Sequence, residues 1–234
     1  MRRLELSPRL RTAADLVPEG ARLADVGTDH AYLPAALILE GKIPFAIAAD
    51  LRPGPLERAR ATVREYGLTG KVAFRLCDGL QGIQPGETDA AAIAGMGGET
   101  IAAILEAAPW TRERDVPLIL QPMSSMPDLR GWLRKNGFRI KEERLAQEGE
   151  TLYTVLSVRA GEMPPMTPAE LWAGKNSDGP LRGAWLDRWI ARTRRALNGM
   201  AQAQGEGISA RRRELEEVYD GLMNMKKEWD QWQQ

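Results

Sequence analysis

Along the first two-thirds of the chain, short apolar runs alternate with segments whose apolar residues recur every three or four positions. Leu23, Ala24 and Val26 form one such run, Gly27 ends it, and Ala31 to Leu39 is almost wholly apolar. This pattern predicts a buried strand, a tight glycine turn and a helix packed back on the sheet. The unit recurs. Phe45–Ala49 runs into Asp50 and then a charged helix from Pro53 to Gly67. Lys71–Leu76 runs into Cys77-Asp78-Gly79. Asp89–Ala94 runs into Gly95-Met96-Gly97-Gly98 and a helix to Ala107, and Leu118–Leu120 into Gln121-Pro122 and a helix to Asn136. Ahead of them, Ser7-Pro8 supplies an N-cap and a first-turn proline for a helix whose apolar face is Leu10, Ala13, Ala14 and Val17.

Strands alternating with helices predict βαβ units and a doubly wound, mostly parallel sheet with right-handed crossovers. Phe138–Arg144 and Leu152–Val158 flank Glu148-Gly149-Glu150, a hairpin connection that adds one antiparallel strand. The α/β domain is therefore expected over residues 1–160. Residues 161–180, Pro/Met-rich from Met163 to Pro168, read as a linker.

Beyond the linker the period changes. Leu186, Ile190, Thr193, Leu197 and Met200 step by four and three; Leu215, Val218, Leu222, Met225, Trp229 and Trp232 step by three and four. Both are heptad seams. With Gln204-Gly-Glu-Gly207 between them, they predict an antiparallel coiled-coil hairpin over residues 181–234. Its first helix carries Arg182, Arg188, Arg192, Arg194 and Arg195 against Asp187 alone. In a chain of zero formal net charge, such a concentration points to a directed polyanion contact, or to a solvated face of the coiled coil. The tryptophans sit mostly on these seams and read as core.

Composition narrows the class. One cysteine excludes an intramolecular disulfide, and with one histidine a structural zinc site has no ligand set. No run approaches the ~20 apolar residues of a membrane span, and the start lacks the apolar core of a signal peptide. A cytoplasmic protein needing neither membrane nor metal is expected.

The chemistry gathers at the strand ends. A G-x-G-x-x-G turn lets backbone approach a pyrophosphate; here its second glycine is replaced by Asp29, whose carboxylate would repel one. A cationic or zwitterionic cofactor suits the turn better, and S-adenosylmethionine, with its sulfonium and ammonium, is such a ligand. Asp25 and Asp29 would meet its amino-acid end while Gly27 lets the backbone close on it. Asp50 would accept the ribose hydroxyls, and Asp78 the adenine amino group, with Gly79 leaving room for the ring. The glycines at 95, 97 and 98 allow close backbone approach or serve a plain turn and helix start. His30, between Asp29 and Tyr32, is either a site residue or a structural one. Cys77 reads as a small buried apolar residue.

With these residues in view, the chain resembles the bacterial tRNA adenine-22 N1-methyltransferases. The matching strings are Leu6-Ser-Pro-Arg-Leu10, Asp25-Val-Gly-Thr-Asp-His-Ala-Tyr-Leu-Pro34, Asp78-Gly-Leu80, Ile93-Ala-Gly-Met-Gly-Gly98 and Leu120-Gln-Pro122, and the helical tail matches as well. Met123 stands where that family's pattern carries Asn. The resemblance implies a Rossmann-like class I methyltransferase fold and N1 of adenine 22 in the tRNA D arm as acceptor. The expected cofactor-binding set is Asp25, Gly27, Asp29, Asp50, Leu51, Asp78, Gly79, Ala94, Gly95, Met96 and Gly97. Asp29, His30 and Tyr32 are the expected catalytic residues, and Arg9, Gln121, Pro122, Arg188, Arg192 and Arg195 the expected tRNA-binding ones. Two other classes stay open: a methyltransferase acting on a small molecule or protein, and a non-enzymatic RNA-binding scaffold.

Overall fold

The computed structural model describes residues 4–175, 179–200 and 206–233. Strands β1 (Arg22–Val26), β2 (Phe45–Asp50), β3 (Val72–Leu76), β4 (Ala90–Gly97), β5 (Leu118–Ser124), β6 (Phe138–Glu148) and β7 (Thr151–Ala160) form one sheet in the order β3-β2-β1-β4-β5-β7-β6. Between them run α1 (Pro8–Leu16, ahead of β1), α2 (Tyr32–Leu39), α3 (Pro53–Glu65), α4 (Gly98–Glu106), the single turn α5 (Trp110–Glu113) and α6 (Met126–Lys135). All neighbours from β3 to β5 pair parallel; β7 pairs antiparallel with both β5 and β6. One strand alone opposes the rest, as the hairpin pattern predicts. β6 extends four residues past its expected end at Arg144, because β7 pairs with it all the way to Glu148↔Thr151.

From β1 the chain winds outward to β2 and β3, then returns to place β4 on the other flank of β1. That reversal opens a crevice at the carboxyl ends of β1 and β4, where ligands of such sheets bind. Period-two side chains divide the core between the two faces. Leu23, Ala46 and Ala48 pack under α1, α2 and α3, while Ala24, Val26, Ile47 and Ile93 pack under α4 and α6.

Within the segment read as a linker lies α7 (Pro168–Ala173), started by a capping box between Thr167 and Glu170. It is followed by α8 (Arg182–Met200) and α9 (Glu206–Trp232), which pack together as the expected helical pair. Of the expected Gly-containing turn, Gln204 and Gly205 lie outside the described residues, and Glu206 and Gly207 already belong to α9. The buried seam consists of Leu186 and Thr193 facing Leu215, Val218 and Leu222, with Trp185 and Trp189 added; Trp232 is 85% exposed, so the seam ends before it. This cluster also takes in Ala169 and Ala173 of α7 and Met126 of α6, which seats the helical pair on its own α/β domain.

A buried ion pair holds that seat. Arg130 of α6 bonds both oxygens of Glu143 on β6 at 3.1 Å, and its third nitrogen donates to Leu171 O and Trp172 O at 2.8 and 3.1 Å. Arg182 continues the row, donating to Ala173 O and Gly174 O at 2.7 and 2.9 Å. Arg182 is therefore buried and leaves the basic surface expected of it. The terminal carbonyls of α7, which lack intrahelical partners, are capped by arginines from two other helices. Among the described residues no helix is long and apolar enough to cross a membrane, and no group of three or more His, Cys, Asp or Glu side chains could hold a metal. Glu143→Ala leaves Arg130 charged, buried and unpaired, which costs about 3–5 kcal/mol. Denaturant unfolding should show a loss of that size, and a loss under ~1 kcal/mol would mean the pair does not hold the joint.

Candidate active site

At the end of β1 the chain turns through Gly27, whose φ of +75° is a left-handed backbone that favours glycine. The Gly27 and Thr28 amides both donate to Ala49 O, at 2.9 and 3.1 Å, strapping the turn to β2. Met96, from the glycine-rich end of β4, lays its Cε methyl against Gly27, where a Cβ would collide with it. Beneath the turn Asp25 is only 6% exposed and accepts the Thr28 hydroxyl at 2.5 Å. Burial pushes its carboxyl up to about 6; the Thr28 hydroxyl works against this, and the charge of Asp50 adds to it. Asp25 is thus a brace under the turn. Its repulsion with Asp50 shows that the ends of β1 and β2 bring two carboxylates together.

Asp50 is oriented by the Arg52 amide, which donates to Oδ1 at 2.9 Å. Beside it Leu51 is 64% exposed, and Leu76, the register partner of Asp50 on β3, is 61% exposed. The strand ends therefore present two open leucines next to their acids. Asp78 follows, exposed, and Gly79 takes φ +54°. The room expected on Gly79 is occupied: a Cβ there would lie 2.9 Å from Ile104 of α4, so glycine at 79 serves helix packing.

Asp29 does not stand alone. Its polar contacts fall on Oδ1, which accepts from Arg58 Nε and Nη2 at 2.9 and 2.5 Å, with His30 Nε2 3.8 Å away. Arg58 comes from α3, and nothing in the sequence separates it from the other arginines of that helix. His30 and Ala31 both take left-handed backbone, φ +67° and +53°, at a cost of about 1–3 kcal/mol each. In return the His30 and Tyr32 rings stack, centroids 5.0 Å apart and planes within 7°, as a half-open flat surface beside Asp29.

A second bracket supports β4. Gly95 N–H donates to Gln121 Oε1 at 3.0 Å, and Arg9 Nη1 donates to the same oxygen at 2.6 Å. The Arg9 amide donates to Glu148 at 3.0 Å and its guanidinium lies 5.5 Å over the Tyr153 ring. Arg9, expected to face tRNA, is bound to protein groups on β5, β6 and β7; Gln121 is fully buried and Pro122 buried beside it. Gly98 lets two turns touch: a Cβ there would meet Ser125 O at 2.5 Å. Arg188 and Arg192 line a cavity of about 500 Å³ between the β5–α6 turn and α8, whereas Arg195 bonds its own helix at Ala191 O, 3.3 Å. Thus Asp25, Gly27, Asp29, Asp50 and Met96 meet at one crevice, while Arg188 and Arg192 meet at a second place beside it.

Residues 6–156 match a methyltransferase-domain family. The tRNA (adenine(22)-N(1))-methyltransferase of Bacillus subtilis is 42% identical over 162 residues, 69% of this chain and 68% of that one. This chain belongs to that methyltransferase family. The crystal structure of the B. subtilis m1A22 tRNA methyltransferase superposes with a TM-score of 0.83 at 33% identity, over 95% of this chain and 99% of that one. A Streptococcus pneumoniae putative tRNA (m1A22) methyltransferase solved with S-adenosyl-L-methionine gives 0.79 at 33% identity, over 92% and 100%. The donor set here fits that cofactor. Carboxylates end β1, β2 and β3, the leucines beside them are open, and only a flexible methionine methyl lies over Gly27.

The raised Asp25 carboxyl has a consequence for stability. Its folded value lies above the ordinary 3.8, so its contribution is fully present below 3.8 and is lost as pH rises through 6. Asp25→Asn should therefore gain on the wild type with rising pH, by up to about 3 kcal/mol at pH 8 and by clearly less at pH 5. Denaturant unfolding of the ligand-free proteins at the two pH values checks this; a difference that does not change with pH would overturn it.

Proposed function

We propose that this chain is a cytoplasmic enzyme that transfers the methyl group of S-adenosylmethionine to N1 of adenine 22 in tRNA. The observation that carries the reading is the row of strand-end carboxylates meeting the glycine-rich end of β4 at the sheet's switch point, in a chain of this family. When bound, the cofactor supplies a methyl already activated by its sulfonium. Adenine N1 has an in-plane lone pair and needs no deprotonation, so the protein's task is alignment and electrostatics.

Asp50 takes the ribose hydroxyls, Leu51 and Leu76 flank the adenine ring and Asp78 takes its amino group. Gly27 and the Gly95–Gly97 segment let backbone approach the amino-acid end, with Ala94 at its root. Asp29, its Oδ1 held by Arg58, keeps Oδ2 turned to positive charge, first the cofactor's and then that growing on the methylated base. The stacked His30 and Tyr32 rings hold the target base flat. Since N1 of a paired adenine is blocked, the base has to leave its stack to be methylated. Arg188, Arg192 and Arg195 hold phosphates and thereby position the RNA. Arg9 and Gln121 act from behind, fixing the Gly95 amide.

Transfer of labelled methyl to a tRNA transcript with adenine 22, compared with the same transcript carrying guanine 22, tests the reading. Label on the first alone is expected. Label on both would remove the position, and label on neither, with cofactor bound, would favour a small-molecule or protein acceptor. Asp29→Ala should lower kcat by about 100-fold or more, the scale of losing one preorganised electrostatic contact. An unchanged melting temperature would accompany it, and retained turnover would remove Asp29 from the mechanism.

A further inference from the structure

Two bulges lie side by side at the ends of β4 and β5. Ala94 pairs with Gln121 and Met96 with Pro122, which leaves Gly95 as an extra residue on β4. Gly97 then pairs with Ser124, which leaves Met123 as an extra residue on β5. Such a residue bends its strand and re-aims a side chain, and bulges are over-represented next to active sites. The Gln121 amide joins the two. Its Oε1 accepts the Gly95 N–H at 3.0 Å, while its Nε2 donates to Met123 Sδ at 3.5 Å and to Pro122 O at 3.0 Å. Gln121 is fully buried and bonded at both ends of its amide, so it fixes where the thioether sits.

Core packing does not account for Met123. It is 50% exposed and belongs to none of the three buried apolar clusters of the described residues. A large apolar side chain held from below and open above is placed to meet a ligand. What it offers is a soft, polarizable surface, which suits the ring of an aromatic partner.

Its place says which ring. One amide group separates Met123 Sδ from the Gly95 N–H, in the segment that approaches the cofactor. The His30 and Tyr32 rings follow β1, which lies two strands from β5, roughly 10 Å at the usual spacing. A flat base between two surfaces needs about 7 Å, twice the stacking distance of successive bases. Side chains reaching inward from the two strands leave room for one base.

We propose that Met123 is a contact for the target adenine, closing its pocket on the side opposite the His30 and Tyr32 rings. The thioether packs on the base and helps keep N1 in line with the methyl group. This contact rests on the reading of a tRNA adenine as acceptor.

The test uses the full chain, S-adenosylmethionine and tRNA transcripts that carry adenine or an abasic residue at position 22. Met123→Ala should lower kcat/KM on the adenine transcript about five- to tenfold, the scale of losing half the burial of a methionine side chain. Its Kd for the abasic transcript, its Kd for S-adenosylmethionine and its melting temperature should all match the wild type. Met123→Leu, which restores apolar bulk of similar volume, should recover kcat/KM to within about twofold. An unchanged kcat/KM in Met123→Ala would overturn the contact. So would an equal loss of affinity for the abasic transcript, or a Met123→Leu no better than Met123→Ala. A wild type that leaves the adenine transcript unmethylated would instead remove the tRNA reading, and this contact with it.

Discussion

The buried contact between Arg130 and Glu143 connects the two halves of this molecule. Two charges taken out of water are costly unless every donor and acceptor is met. Here the guanidinium spends its remaining nitrogen on the end of α7, whose next carbonyls are met by Arg182 and by the Trp185 indole at 2.9 Å. Gly174 completes the joint. At φ +77° it brings the chain so close that a side chain there would run into Glu143. Because α7 is fixed to the sheet edge, α8 is fixed as well, and the cavity beside the β5–α6 turn has a rigid far wall.

The other centre of the structure carries strain where the joint carries satisfaction. At the switch point a carboxyl is buried beside another, and two consecutive non-glycine residues hold left-handed backbone. Folding alone would select neither. Both are the sort of local cost that persists where the surrounding structure over-determines a working geometry. A ligand that brings positive charge and hydroxyl donors to the ends of β1 and β2 relieves the first. The strained corner sets His30 and Tyr32 parallel.

Between the two centres runs the bracket of Arg9, Gln121 and Gly95. It carries no chemistry of its own, but it joins α1, β4 and β5 beneath the residues that do. Gly98 adds a contact of another kind, with the turns after β4 and β5 touching backbone to backbone. A motif of three glycines in four residues thus serves three purposes: a left-handed turn at Gly95, a slot for the Ser124 hydroxyl at Gly97, and this close approach at Gly98.

Much was decided by the sequence alone. Period-two runs ending in glycine or acid determined the strands, the reversal of one hairpin determined the antiparallel strand, and the spacing of Asp25, Asp50 and Asp78 determined that acids line one sheet edge. These are local or single-face properties, and a chain's alternation records them directly. The tertiary structure alone decided which cations face the solvent. Arg9 and Arg182 turn inward while Arg188 and Arg192 face the cavity, although all four are alike in the sequence. The start of α7 in the supposed linker was written locally, in the capping box of Thr167 and Glu170, although only the structure shows what caps its other end. The tertiary structure likewise decided that Asp29 is paired with Arg58 and that Gly79 packs on Ile104. Each of these depends on a partner 25 or more residues away or on a cap supplied by another helix, and no local period encodes such a partner.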